Sequence, residues 1–249
     1  MINFGAIIEA RFGSTRLPGK VMLKVNNKPL IFQLIKRLKF VKNLDQIIVA
    51  TTLNKKDDVI CDFLKKNKIK FFRGSEDNVV DRVLKAAKKF KIKNIVQITG
   101  DCPLIDPYIV SQVIETFKSN NFDFVSNANI RTYPDGMDVS IFSTKNLNKL
   151  SKLTKNKFDL EHVTLYFRRK KNIFSHCNIM APLDLHYPKL GLTLDEKNDY
   201  DLIKVIFKKF RKFRKPFTCL QIIEFLKKNP HLLMINKKVK RNVLPLALK

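Results

Sequence analysis

The sequence predicts an α/β fold: a mostly parallel sheet with helices on both faces. Short β-branched or aromatic runs alternate with amphipathic helical stretches through the first half of the chain. Strand–helix–strand alternation builds a parallel sheet covered on both sides. The 249 residues, 45% of them hydrophobic, suffice for one large core carrying an embellishment.

Strand-like runs fall at residues 6–9, 46–51, 70–73, 94–99 and 122–126. Between them, Leu30, Ile31, Leu34, Ile35 and Leu38 share one helical face. Val79, Val80, Val83, Leu84 and Ala87 share another, and Ile109, Val110, Val113, Ile114 and Phe117 a third. Ligands of such sheets bind beyond the carboxyl ends of the strands, so the loops 10–20, 51–57, 74–77 and 100–107 are where chemistry is expected. Residues 129–187 follow a different pattern. A turn at 133–136 precedes a strand at 137–142, helical stretches near 144–153 and 160–169, and a strand-like run at 172–180. This segment is expected to be a lid or insertion on the main sheet. The chain returns at 190–195 and adds helices near 198–210 and 218–228. One domain, 1–249, with an excursion at 129–187 and a basic tail at 229–249, is the expected organisation.

The composition excludes several classes. The apolar content is too high for a disordered chain, and 7 Gly with 10 Pro exclude collagen-like sequence. No apolar run approaches the roughly 20 residues of a membrane-spanning helix. The N-terminal run reads as a strand rather than a signal peptide. The cysteines, Cys61, Cys102, Cys177 and Cys219, form no C-x-x-C pair, so neither a zinc site nor a disulfide framework is indicated. A cytoplasmic protein is the expectation.

With 49 Lys+Arg against 22 Asp+Glu, the net charge is +27. Such a field attracts nucleic acid, anionic membranes or polyanionic small molecules. The lysines are spread along the chain, in a composition rich in Lys, Asn, Ile and Phe, so solvated faces of AT-rich coding account for most of them. The one concentration is residues 204–249, where 14 basic residues face a single acid, Glu224.

The most informative segment follows the first strand: ARFGSTRLPGK, residues 10–20. Gly13 and Gly19 permit close backbone approach, Ser14 and Thr15 add hydroxyls, and Arg11, Arg16 and Lys20 add three cations. Exposed amides and cations at a strand's carboxyl end cradle phosphates. The segment is neither a P-loop nor G-x-G-x-x-G. In QITGDCPLID, residues 97–106, Asp101 ends a buried strand and is placed to share Mg²⁺ with phosphates. Asp106, followed by Pro107, reads as a helix cap. Asp195, in LTLDE at 192–196, either caps the next helix or completes a metal site. Asp135 reads as a turn residue before Gly136, whereas Asp138 begins a strand, where Asp is disfavoured.

These motifs resemble the acylneuraminate/Kdo cytidylyltransferase family, most closely its branch named for the spore-coat polysaccharide protein SpsF. The stretches that carry the resemblance are IEARFGSTRLPGK at 8–20, IVATT at 48–52, FRGSEDNVVDR at 72–82, ITGDCPLIDP at 98–107, YPDGMDV at 133–139, EHVT at 161–164 and LDE at 194–196. They run in family order over about residues 8–203, and the first and fourth together are specific.

The resemblance implies a Rossmann-like, nucleotide-diphospho-sugar transferase fold and CTP as substrate. A sugar-acid hydroxyl would attack the α-phosphate, giving a CMP-sugar and pyrophosphate for surface polysaccharide or glycan synthesis. Ala10, Arg11, Gly13, Ser14, Arg16 and Lys20 would hold the triphosphate. Ser75, Asp77 and Arg82 would lie toward base and ribose, and Asp101 and Asp195 would bind Mg²⁺. Arg11, Lys20, Asp101 and Asp138 would be the catalytic residues. Asp138, Glu161 and His162 would meet the acceptor, and the lid would support a homodimer. Two rivals remain open. A nucleotide-sugar-dependent glycosyltransferase shares this architecture but uses D-x-D at a strand end, and the one D-x-D here, Asp199 to Asp201, falls within a helix. A nucleic-acid module would rest on the charge alone.

Overall fold

The structure, a computed structural model, describes residues 2–241. In chain order its elements begin with β1 (Ile2–Glu9), the short antiparallel pair β2 (Lys24–Val25) and β3 (Lys28–Pro29), α1 (Leu30–Leu38), β4 (Gln46–Thr52), α2 (Asp58–Lys66), β5 (Phe71–Gly74), α3 (Val79–Lys89) and β6 (Ile92–Thr99). There follow α4 (Pro107–Ser119), β7 (Phe124–Ser126), β8 (Ser140–Ser143), α5 (Thr144–Leu153), α6 (Lys157–Glu161), α7 (Leu165–Arg169), β9 (His176–Asn178), α8 (Lys197–Lys209) and α9 (Cys219–Lys227).

Seven strands form one sheet in the order β5-β4-β1-β6-β8-β7-β9. All pairings are parallel except those of β8, which runs against β6 and β7. Period-two alternation divides each central strand between two cores. Ala6 and Ile8 of β1, Val49 of β4, and Val96 and Ile98 of β6 pack under α1, α2 and α4. Ile7, Ile48, Ala50 and Ile95 face the other way, against α3, α5 and α7. That second core is aromatic on one side: the Phe124 and Phe167 rings stack at 5.2 Å, and Phe142 and Phe167 at 4.8 Å. Burying each such side chain stabilises the fold by roughly 1.5–3 kcal/mol.

A third core joins α8 and α9 to Leu30, Leu104, Ile109, Tyr133, Met137, Leu192 and Leu194. Two buried charges fasten it to the sheet. The Arg37 guanidinium donates to the carbonyls of Ile105 and Phe217, at 2.7 and 2.6 Å, and lies 4.1 Å from the centre of the Phe217 ring. Asp106 caps α4 by accepting from the Tyr108 amide at 2.9 Å, and its second oxygen accepts from the Cys219 amide at 2.6 Å.

The segment 129–187 supplies β8 and β9 to the main sheet itself, so the excursion is anchored within the sheet rather than resting on it. The strand expected over 137–142 starts only at Ser140. Asn127, buried, accepts from the Val139 amide and donates to the Met137 carbonyl, both at 2.8 Å, in place of a neighbouring strand. The helix expected over 160–169 is two short ones, because His162 leaves helical geometry at φ −108°, ψ 87°. The strand-like run 172–180 narrows to His176–Asn178. Residues 242–249 of the basic tail lie outside the described residues. Among the described residues no helix is long and apolar enough to cross a membrane.

Asp106→Ala should destabilise the chain by about 2–4 kcal/mol in urea unfolding, because it removes a cap and strands the buried Cys219 amide. A loss below ~1 kcal/mol would mean that α9 docks without this carboxylate.

Candidate active site

The carboxyl ends of β1, β4 and β6 meet at one edge of the sheet, as the parallel pairing requires. The loop 10–20 leaves β1 there and folds back on itself. Its Phe12 amide donates to Asp57 at 2.7 Å, and Asp57 also accepts from the Thr51 hydroxyl at 2.8 Å and the Thr52 amide at 3.0 Å. Burial opposes the Asp57 charge, but these donors hold the carboxyl below its ordinary value. Gly19 closes the loop at φ 68°, and a Cβ there would lie 2.8 Å from the Phe12 ring. The fold of this loop is thus set by a buried acid from the β4–α2 connection.

Lys20 projects from the loop end between two carboxylates. Its Nζ is 2.8 Å from Asp101 Oδ2, beyond β6, and 3.3 Å from Asp195 Oδ1, before α8. Burial alone would lower the lysine pKa; the two carboxylates raise it above the ordinary value. Burial likewise works against the Asp101 charge, and the Lys20 ammonium overrides it, holding that carboxyl low. Arg16 reaches the same pair from the loop, 3.0 Å from Asp195 Oδ1. Whether Asp195 caps α8 is resolved by its neighbour: Asp199 accepts from the Asp195 and Glu196 amides at 3.0 and 2.9 Å. The Asp195 carboxylate is left to face the cavity.

Two lobes open on either side of these charges and share Arg16, Thr99, Asp101 and His162 in their walls. The first, about 330 Å³, is lined by Glu9, Ala10, Arg11, Ser14, Arg16, Lys20, Arg82 and Glu161 among others. The second, about 540 Å³, holds Asp138 and Asp195 with Arg131, Asp135, Arg168 and Arg241.

The structure therefore brings Ala10, Arg11, Ser14, Arg16, Lys20, Arg82, Asp101, Asp138, Glu161, His162 and Asp195 to one cavity. Gly13, Ser75 and Asp77 lie outside its walls. The Ser75 hydroxyl accepts from the Asn78 amide at 3.0 Å, Asp77 is exposed on the same turn, and Gly13 faces Glu76. Buried Arg82 donates to the Ser75 and Glu76 carbonyls and so fixes that turn. Glu161 sits at the first lobe, 3.9 Å from Arg11, and not in the second. His162 packs edge-on to Phe158 at 4.5 Å, and burial lowers its pKa. Asp138 is clamped by Arg131 through both oxygens, at 3.0 and 2.8 Å.

Glu9, a residue of the site, gave no signal of its own in the sequence. Glu9 ends β1 on the floor of the first lobe, bonded to Gln97 at 2.9 Å, and burial raises its carboxyl to about 7. Asp135, read as a turn residue, lies 3.1 Å from Arg131, and burial raises it to about 6. Cys102, beside Asp101, is buried, and its thiol is pushed well above the ordinary value, so it is no nucleophile. The D-x-D acids do not face the cavity: Asp199 is buried in the first turn of α8, where it accepts from the Asp195 amide, and Asp201 pairs with Lys197 and Lys204 on the helix surface.

A cytidylyltransferase family profile matches residues 5–240. The chain belongs to the cytidylyltransferase family. It is a CTP-dependent nucleotidyltransferase, and it shares 31% identity over 232 residues with the spore coat polysaccharide biosynthesis protein SpsF of Bacillus subtilis, covering 90% of this chain and 94% of that protein. An uncharacterized protein of Methanocaldococcus jannaschii is 38% identical over 235 residues, 94% of this chain and 95% of the relative. The 8-amino-3,8-dideoxy-manno-octulosonate cytidylyltransferase of Shewanella sediminis is 31% identical over 192 residues, 74% and 72% of the two chains. Among solved structures, a cytidylyltransferase from Leptospira borgpetersenii superposes with a TM-score of 0.89 at 34% identity, covering 97% of this chain and 100% of that one.

A cytidylyltransferase needs charge neutralisation around a triphosphate, and the donor set can be tested for a metal. Among the described residues no group of three or more His, Cys, Asp or Glu forms a ready-made metal cage. Asp101 and Asp195 converging on one ammonium are instead two oxygen donors that leave most of a coordination shell open. That fits Mg²⁺, which keeps waters and shares phosphate oxygens.

The raised carboxyls set a pH dependence of stability. Glu9 and Asp135 hold protons in the folded chain, at about 7 and about 6, that ordinary carboxyls release near 4. Their contribution is therefore fully present below the unfolded pKa and is lost as pH rises through the folded one. Glu9→Gln and Asp135→Asn should melt above the parent at pH 8 and converge with it near pH 4. Melting curves that stay parallel across this range would show that neither carboxyl is perturbed.

Proposed function

We propose that this enzyme transfers CMP from CTP to a sugar acid of the nonulosonic type, releasing pyrophosphate, and supplies a CMP-sugar for surface polysaccharide or glycan synthesis. The observation that carries the reading is the two-lobed cavity hinged on Lys20, Asp101 and Asp195. A nucleotide in the first lobe and an acceptor in the second would meet over these charges. The sugar-acid activity in the name of the Shewanella sediminis relative supports the acceptor class.

In this reading Arg11, Ser14, Arg16 and Lys20, with the backbone at Ala10 and Gly13, hold the triphosphate. Arg82 lies toward base and ribose, with Ser75 and Asp77 on the turn it fixes. Asp101 and Asp195 hold Mg²⁺, which when bound supplies charge neutralisation at the phosphates. An acceptor hydroxyl oxygen attacks the α-phosphorus. The bond from that phosphorus to the bridging oxygen breaks, and pyrophosphate leaves with the electron pair. Lys20 and Arg16 neutralise the charge that builds on the leaving group. The hydroxyl proton needs an acceptor. Asp138 is held at both oxygens by Arg131, whereas Asp135 titrates near 6 and faces the second lobe, so Asp135 suits that task better. Asp138 then fixes Arg131, while His162 and Glu161 border the acceptor's entry. Residues 129–187 carry the second lobe's wall from Asn129 to Arg168 and act as its lid, and the assembly is a homodimer in this reading. The expected cytoplasmic setting fits the nucleotide substrate.

The test is pyrophosphate release with CTP and Mg²⁺ against a panel of sugar acids. CTP should exceed UTP, ATP and GTP, because a pocket built to pair with the cytosine amino group leaves its own groups unpaired with uracil. Robust turnover with UTP, or with a neutral sugar phosphate, would overturn the substrate class. Asp101→Asn or Asp195→Asn should lower turnover at least ~100-fold with the fold intact. The acidic limb of kcat/KM should lie near pH 6 and disappear in Asp135→Asn; a limb that persists there assigns the proton elsewhere.

A further inference from the structure

The basic C-terminal segment carries none of the motifs quoted from the sequence, although the family profile runs through it to residue 240, and its end lies at the cavity. Arg241 forms part of the wall of the second lobe. Its guanidinium fork grips Asp199 at 2.6 and 3.1 Å and stands 3.6 Å from Asp195 Oδ2. Asn236, buried, donates from the same segment to Asp199 at 2.8 Å and to the Gly191 carbonyl at 2.9 Å. Lys240 accepts from Arg16 of the phosphate loop through its carbonyl at 3.0 Å. The arm thus touches the loop after β1, the return strand and the start of α8 together.

We infer that residues 236–241 complete the catalytic site and that Arg241 is a positioning residue for Asp195. The inference rests on the cytidylyl-transfer reading of the cavity. Asp199 is the lever. Its side chain is fully buried, and its donors are the Asp195 and Glu196 amides on one side and Asn236 and Arg241 on the other. A buried carboxylate needs such compensation. The arm therefore supplies the buried Asp199 with donors where it fastens the backbone of Asp195, and so sets where that carboxylate points.

The arrangement matters most when substrate is bound. In the free chain Asp195 is surrounded by Lys20, Arg16 and Arg241 at 3.3, 3.0 and 3.6 Å. Lys20 and Arg16 turn to the triphosphate in the proposed reaction. Arg241, bidentate on Asp199, is the cation that stays and keeps Asp195 aimed at the metal position. Gly191 makes room for this contact: a Cβ there would lie 2.0 Å from Arg241 Nη2 and displace the guanidinium from its place against the backbone.

The experiment compares Arg241→Ala, Arg241→Lys and Gly191→Ala in the full chain. Three readouts are taken: kcat and KM for CTP, binding of Mn²⁺ as a probe to the CTP complex without acceptor, and hydrogen exchange of residues 192–199 without ligand. Arg241→Ala should lower kcat ~10–100-fold and weaken Mn²⁺ by a similar factor, as lost outer partners of metal ligands do. KM for CTP should stay within about threefold. Exchange at 192–199 should rise. Free guanidinium should restore part of the turnover, and Arg241→Lys should recover less than the parent because an ammonium cannot span the fork. Gly191→Ala, which displaces the same group by another route, should reproduce the split. Parent-like kcat and Mn²⁺ binding in Arg241→Ala would overturn the proposal. So would losses in kcat and KM that simply follow melting temperature, or failure of both Arg241→Ala and Gly191→Ala to fold. If the parent itself neither binds CTP nor releases pyrophosphate, the cytidylyl-transfer reading falls, whatever the exchange data show.

Discussion

The site depends on one ammonium group. Lys20 is held between Asp101 and Asp195, which are 94 positions apart in the chain and meet because β6 and the return before α8 end at the same edge of the sheet. Two carboxylates this close, without a cation, would each oppose the other's ionisation. With Lys20 between them Asp101 stays below its ordinary value despite burial. The loop that delivers Lys20 is in turn tied down by Asp57 and turned by Gly19. A lysine on a loose loop would lose side-chain entropy to make this contact. One whose backbone is fixed at both ends loses less, and this is why a charge-dense site survives at the edge of a sheet.

The same logic explains how sheet and site are joined. The two faces of the sheet are packed by unremarkable apolar periodicity, but the third core is fastened by Arg37 and Asp106, whose partners are backbone groups. These bonds fix where α9 and, through the shared core, α8 sit. The start of α8 carries Asp195 and Asp199. Placement of the Asp195 carboxylate thus runs back through buried polar contacts to the β6–α4 loop, which carries its partner at Lys20, Asp101.

Much of this was legible in the sequence, and the reason differs by element. The long helices and central strands declare themselves because their apolar residues repeat at 3.6 or 2. The phosphate loop declares itself because its glycines, hydroxyls and cations are contiguous. What the sequence left open is what depends on partners far along the chain. Asp195 could be a cap or a ligand until Asp199 is seen to take the helix amides. Asp138 drew more weight than Asp135 because its strand position is unusual, and only folding shows that Arg131 pairs with both. Asn127 shortens β8 by a side-chain bond that no periodicity records. Arg241 had no signal at all: it was one basic residue in a basic tail, and only folding brings it 42 positions back to Asp199.

The net charge of +27 misdirects attention from the site, which is nearly balanced. Around the cavity Asp101, Asp135, Asp138 and Asp195 are set against Lys20, Arg16, Arg131 and Arg241, which are engaged with these carboxylates in the free chain, while Arg168 and Lys189 add to the second lobe's wall. The surplus lysines lie elsewhere and act on a ligand only within about 8 Å at physiological salt, beyond which ions screen them. They hasten the arrival of an anion but do not choose it. In the proposed reading, choice falls to the paired network, where a triphosphate would displace carboxylates from Lys20 and Arg16. Binding is then an exchange of partners rather than a neutralisation of bare charge. Each displaced carboxylate needs a new cation, and for Asp101 and Asp195 the donor geometry favours a divalent ion arriving with the nucleotide. In the proposed reading, a polyanion that brought no metal would leave Asp101 without a cation and Asp195 with Arg241 alone, which disfavours it.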